Sequence, residues 1–235
     1  AADPLLAREK IRADERIDLA AAKAAGWSEA EMKAMCTGAW EVCRTTNYWA
    51  ALKQRGLEVF YNQGSNDNVG PGLIELGQKF PDLPIYVVPG GQHGGAKETG
   101  FTKQVGGLPE VDENLYAFAM HHFFATRRMV APPKIVTQWS QSKHSLHVIA
   151  TFPDGSEPQK NELWTALDRH PDYSMQMEYD AWLSVPMTKT GTATYEADFK
   201  VTAGTKTVNF VTVHAHEEAG STITLSSPAL QTVVR

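Results

Sequence analysis

The chain of 235 residues is long enough for one domain or two, and 42% hydrophobic against 21% charged residues places it among folded globular proteins. A net charge of -5 and an isoelectric point near 5.9 leave no basic field to draw in nucleic acid or an anionic membrane, and no apolar run approaches the ~20 residues of a membrane-spanning helix. The expected partner is small or neutral.

In chain order, residues 1–55 read as helices. "AREKIRADERIDLAAAKAAG" has helical periodicity and stops at Gly26; Ser28 then stands as an N-cap with Glu31 three residues on, and "TTNYWAALKQRG" is a further helix closed by Gly56. No charged leader precedes an apolar core, so no uncleaved signal peptide is read. The start without Met points to a removed leader or to release from a longer precursor. The two cysteines, Cys36 and Cys43, stand in "CTGAWEVC". In a continuous helix they lie about 10 Å apart at 1.5 Å per residue, beyond the ~7 Å that a disulfide tolerates. A break at Gly38 would permit a bridge, and a bridge would argue for an oxidising compartment. The spacing is compatible with either state.

Next come a strand in "LEVFYNQG", a helix in "PGLIELGQKFP" opened by Pro71, a strand in "LPIYVVPGG" and a long helix in "ENLYAFAMHHFFATRRMV". This alternation predicts parallel strands with right-handed crossovers. After "APPK" at 131–134 the chain becomes a series of short β-rich runs, "IVTQWS", "SLHVIATF", "ELWTALD", "WLSVPM", "ATYEADFKV", "TVNFVTVHAH" and "STITLSS", the pattern of an antiparallel sandwich. The expected organisation is a helical connector over 1–55, an α/β segment over 56–131 and a β-sandwich over 132–235.

Asp67 and His93 follow the two strands of the α/β segment directly, in the glycine-containing turns "GSND" and "GGQHGG". In an open α/β sheet, functional groups gather beyond the carboxyl ends of the strands. Asp followed by His, one strand-helix-strand unit apart, is the order that completes a Ser-His-Asp triad. There the His takes the serine proton and the Asp fixes its tautomer. The plainer reading makes both turn residues, since Asn66, Asp67 and Asn68 all have turn chemistry. The pair, in this order with these elements between, favours the triad.

"VFYNQGSNDNVGPG" and "IYVVPGGQHGG" resemble the last two catalytic segments of α/β-hydrolases. With the β-domain entered through "PPKIVTQWS", the chain most resembles the PhoPQ-activated pathogenicity-related hydrolases and kindred secreted esterases. The resemblance implies an α/β fold: the C-terminal portion of an α/β-hydrolase sheet with helices, followed by an antiparallel β-sandwich. It implies carboxylic-ester hydrolysis with Asp67 and His93 as catalytic residues, no cofactor or metal, and a periplasmic or secreted location. One departure is large: no G-x-S-x-G occurs in the chain. Ala1 excludes an N-terminal nucleophile, and neither Cys36 nor Cys43 sits in a strand-turn-helix elbow. The remaining reading is a split or processed hydrolase whose companion polypeptide carries the serine and the oxyanion hole. A two-stranded parallel sheet cannot bury both of its faces by itself, so a covering partner is expected. The contrasting reading is a non-catalytic binding or assembly module whose sandwich contacts a polymer or partner.

The other chemistry-bearing residues read as structural. His214 and His216 share one face of a strand and could chelate a metal with Glu217 or Glu218, but a solvated strand end is the expected state. His121 and His122 point in different directions from an apolar helix, so at most one can reach the active-site side, and His144 and His147 flank a strand. Trp139, Trp164 and Trp182 are most simply sandwich core, the alternative being an aromatic patch that faces the cleft and binds substrate.

Overall fold

A computed structural model of the chain describes residues 26, 28, 30–31, 48–66, 73–91, 98–99, 102–103, 109–124, 131–168, 182–218 and 221–234. The chain forms two compact units, 1–57 and 58–235. In the first, the Ser28 hydroxyl accepts the Glu31 N–H at 3.2 Å, and the Glu31 carboxylate accepts the Ser28 N–H at 2.8 Å, so the capping box is formed. The Ser28 hydroxyl also donates to that carboxylate; this bond first, and the N–H bond second, hold the Glu31 carboxyl below its usual range. Helix α1 (Trp49–Gln54) buries Trp49, over whose ring Lys53 lies.

The second unit begins with β1 (Tyr61–Gly64), α2 (Leu73–Lys79) and β2 (Ile85–Val88). β1 and β2 are parallel, with Tyr61 opposite Ile85 and Gly64 opposite Val88. A minimal hairpin, β3 (Glu98–Thr99) and β4 (Thr102–Lys103), precedes the long helix α3 (Pro109–Phe124). The strands that follow are β5 (Lys134–Ser140), β6 (Ser145–Thr151), β7 (Lys160–Leu167), β8 (Trp182–Pro186), β9 (Thr188–Gly191), β10 (Thr194–Lys200), β11 (Thr207–Glu218), β12 (Ser221–Ser226) and β13 (Leu230–Val233). They build two antiparallel sheets, a four-stranded one in the order β5-β6-β10-β9 and a five-stranded one in the order β12-β11-β7-β8, with β13 also paired to β11.

The fold is therefore mostly β and antiparallel, and the expected α/β-hydrolase sheet with helices is overturned. The local alternation of strand, helix and strand is present, but it contains a single crossover. One crossover yields two parallel strands, whereas nine of the strands belong to the two large antiparallel sheets. Antiparallel strands, rather than flanking crossover helices, supply most of the buried residues.

Side-chain alternation explains the layers. In β10, Tyr195, Ala197 and Phe199 are buried while the residues between them point outward; in β6, Leu146, Val148 and Ala150 do the same. These meet Leu163, Val208, Phe210 and Leu225 of the five-stranded sheet in the core between the sheets. β11 differs because both of its faces are covered. Val208 and Phe210 face the sandwich interior, while Val211 and Val213 join Ile85, Tyr86, Val87, Val88 and Leu73 in a second core on the opposite side. β2 is buried along its whole length, so the cover expected from another polypeptide comes, for this strand, from the sandwich itself. Trp139 packs against the inter-sheet core as expected. Trp164 and Trp182 instead face the parallel pair.

The successive residues Ser226, Ser227 and Pro228 build the joint. The Ser226 hydroxyl, at the end of β12, accepts the Val87 N–H at 2.9 Å on the edge of β2 away from β1. Ser227 fills the gap between β12 and β13 by bonding both backbone groups of Thr212: its N–H donates to the Thr212 carbonyl at 2.8 Å and its hydroxyl accepts the Thr212 N–H at 3.0 Å. Pro228 then lies so close to α2 that a Cβ at Gly77 would collide with it. On the free edge of β12, the Asn114 carboxamide of α3 accepts the Thr224 N–H at 2.6 Å and donates to the Thr224 carbonyl at 2.7 Å, standing in for a further strand. Phe118 of α3 stacks on Phe60 at 5.8 Å.

Ser226→Ala should leave the Val87 N–H buried without an acceptor and cost about 1–3 kcal/mol. Gly77→Ala should cost about 1–3 kcal/mol by overpacking against Pro228. Urea unfolding at neutral pH reads both. A wild-type midpoint in either variant would show that the joint tolerates the change.

Candidate functional site

The carboxyl ends of β1 and β2 lie side by side, and a compact set of hydrogen bonds locks the turns that leave them. The Ser65 N–H donates to the Val88 carbonyl at 3.0 Å, extending the ladder one residue past β1. The Ser65 hydroxyl accepts the Gly90 N–H at 2.7 Å and donates to Asn66 Oδ1 at 3.2 Å. The Asn66 N–H then donates to the Gly91 carbonyl at 2.8 Å, tying one turn to the other. The glycines are required here. Gly90 has a φ of 72°, in the left-handed region, and a Cβ on Gly91 would lie 2.9 Å from the Val88 Cβ.

A residue from the sandwich completes the arrangement. The Trp182 indole N–H, at the start of β8, donates to Asn66 Oδ1 at 3.3 Å. Asn66 Oδ1 thus takes one donor from its own turn and one from a strand 116 residues away. Ser65 and Asn66 are each only 1% exposed, so the Ser65 hydroxyl is a buried structural group and not an accessible nucleophile. Asp67 and His93 lie outside the described residues, one residue beyond Asn66 and two beyond Gly91 in the chain. Cys36, Cys43, and the side chains of His121, His122 and Glu218 also lie outside them. From the sequence, Asn66 reads as a turn former. The "GSND" string does announce a turn, but nothing local to it announces an indole.

The histidines of β11 depart from expectation. His214 and His216 are not a solvated strand end; they are 0% and 5% exposed. They continue the row of Val208 and Phe210 on the inner face, and Phe152 meets both rings edge to face, with centroids at 4.8 and 5.3 Å. Their even spacing with Val208 and Phe210 was the signal that could have shown it. Asn161 donates from Nδ2 to the Pro158 carbonyl at 3.0 Å, which turns its Oδ1 toward His214 Nδ1 at 2.7 Å. Nδ1 of His214 therefore carries the proton and Nε2 is a bare lone pair. Nε2 of each ring is buried without a partner among the described residues. Desolvation is the main cause that pushes His214 down to about 3, aided by the neighbouring His216. Desolvation likewise pushes His216 down to about 4, against a weaker opposing pull from Asp154. Among the described residues no group of three or more His, Cys, Asp or Glu side chains is placed to hold a metal ion.

The remaining histidines sit elsewhere. His144 adopts a φ of 46° in the turn between β5 and β6. His147 lies within β6 and not beside it, its Nδ1 3.1 Å from Asp198 and its Nε2 3.4 Å from Glu196 on the outer face of the four-stranded sheet. Among the described residues no helix is long and apolar enough to cross a membrane. No protein-family model matches the chain, and a search of curated proteins returns no significant match.

Burial of neutral His214 and His216 makes stability pH-dependent. Both folded values lie below the ordinary 6.5, so the unfolded chain binds protons first as pH falls. This contribution is fully present above about pH 6.5 and declines as pH drops toward 4 and then 3. Urea midpoints should hold from pH 7.5 to about 6.5 and fall from there to pH 4.5, and His216→Leu should flatten part of that slope. An unchanged slope in His216→Leu would remove His216 as a contributor.

Proposed function

We propose that this chain supplies the Asp and His of a Ser-His-Asp triad, Asp67 and His93, to a serine hydrolase that cleaves carboxylic esters. The serine and the oxyanion hole come from a companion polypeptide. One observation carries the reading: β1 and β2 are adjacent and parallel, and the turns that lead into Asp67 and His93 are bonded to each other through the Asn66 N–H and the Gly91 carbonyl. An acid-base pair needs this, because His and Asp must be held within hydrogen-bond reach in a fixed orientation. The burial of Ser65 supports a nucleophile that lies outside this segment.

In this reaction His93 accepts the serine proton as the serine oxygen attacks the ester carbonyl, and then delivers that proton to the departing alkoxide. Water, activated by the same imidazole, hydrolyses the acyl-enzyme and regenerates the serine. Asp67 orients the imidazole and stabilises its protonated form. The sandwich acts as the platform of the pair.

Asp67→Asn should leave folding intact and lower turnover of the assembled enzyme by roughly 10⁴, with His93→Ala comparably damaging and the double variant little worse. A fluorophosphonate should label the companion polypeptide and never this chain, and His93→Ala should slow that labelling while assembly persists. Near-wild-type turnover in both single variants would make these turns structural and favour a non-catalytic binding module. Label on this chain would place the nucleophile here.

A further inference from the structure

We propose that His214 and His216 form a two-imidazole site for a monovalent copper ion inside the sandwich. The inference is independent of the hydrolase reading and concerns a part of the fold that the proposed triad does not use.

β11 runs beside β7 and β12 with no break in register, so Thr212, His214 and His216 occupy successive inward positions, about 6.8 Å apart along the strand. Leu225 and Ile223 of β12 stand opposite the two histidines, and Phe152 lies against both rings. Among the described residues five buried side-chain polar atoms lack a partner, and three of them belong to this row: Thr212 Oγ1, His214 Nε2 and His216 Nε2. A hydroxyl rotates to find an acceptor, but the lone pair of a packed imidazole cannot, and its burial without a donor or a Lewis acid is costly. Two imidazoles two residues apart on one strand face are spaced to share one ion. At His214 the tautomer is already set. Asn161 Oδ1 takes the proton-bearing Nδ1 at 2.7 Å, while Asn161 Nδ2 donates to the Pro158 carbonyl. This is the outer hydrogen bond that orients a metal-binding histidine and raises its basicity.

The surroundings select the ion. Imidazole nitrogens suit zinc, copper, iron and nickel, but structural zinc sites use four ligands, and among the described residues no third His, Cys, Asp or Glu side chain joins the pair. Glu217, an expected further ligand, is exposed and alternates to the other face, where its carboxylate takes the Thr222 hydroxyl at 2.7 Å. Asp154, whose pull reaches His216, already accepts the N–H groups of Ser156 and Ala131. A divalent ion would therefore bring two charges among neutral donors and apolar side chains, and the Born cost of burying an ion rises with the square of its charge. Copper(I) carries one charge and is satisfied by two nitrogen donors.

Thiolates also take copper(I), so the test uses the full chain with Cys36→Ser and Cys43→Ser. Anaerobic titration with copper(I) against bathocuproine disulfonate, a chromophoric competitor, should show one equivalent bound and a raised thermal midpoint. His214→Leu and His216→Leu should each abolish that equivalent, and Asn161→Ala should weaken it by roughly 10- to 100-fold. Zinc(II) should bind the same pair more weakly. Nitrogen NMR of the chain with both histidines intact keeps the test independent of how these variants fold: copper(I) should shift the Nε2 resonances of His214 and His216 and leave the Nδ1–H of His214 in place. Failure to take up copper(I), equal uptake in both His→Leu variants, unmoved Nε2 resonances, or tighter binding of zinc(II) would each overturn the proposal.

Discussion

The hydrogen bond from the Val87 N–H to the Ser226 hydroxyl is the constraint on which the rest of the second unit depends. A two-stranded parallel sheet leaves half of its backbone groups without a ladder, and β2 is buried along its length, so its outer N–H must find a partner inside the protein. Ser226 supplies one at the end of β12. Ser227 then satisfies Thr212 where β11 changes partners, and Pro228 meets the bare backbone of Gly77. A net hydrogen bond contributes only about 1 kcal/mol, but a buried orphan costs more, and this asymmetry makes a single hydroxyl decisive.

The parallel pair is held at both edges of the same sheet. In the order β12-β11-β7-β8, Ser226 belongs to one edge strand and Trp182 to the other, with Val211, Val213 and Ala166 forming the apolar floor between them. β2 is fixed near one edge through its backbone, and the turn after β1 is fixed near the other through Asn66. Attachment at two separated points resists rotation as well as displacement.

The inner face of β11 shows how the same sheet accommodates polarity. His214 is held in one tautomer by Asn161, whose own orientation is set by the Pro158 carbonyl, while Phe152 packs against both imidazoles. The neutral rings fill space as aromatic groups. A second proton would bring a charge into a buried site, where the pull of Asp154 only weakly offsets desolvation at His216. Burial of the strand end thus favours the uncharged rings.

The sequence by itself determined the local elements: the capping box at Ser28 and Glu31, the strands on either side of α2, and the run of short strands after Pro133, because caps, turns and strand patterning depend on neighbours a few residues apart. It also marked the two glycine-containing turns after β1 and β2. Only the tertiary structure decided the fold class, since one crossover reads like the start of a long parallel sheet until the antiparallel strands are seen to carry the burial. Only the tertiary structure placed Trp164 and Trp182 against the parallel pair instead of between the sheets, and buried His214 and His216. Those outcomes depend on which face of the five-stranded sheet each side chain meets. Residues 116 apart, such as Asn66 and Trp182, leave no mark on each other's local pattern.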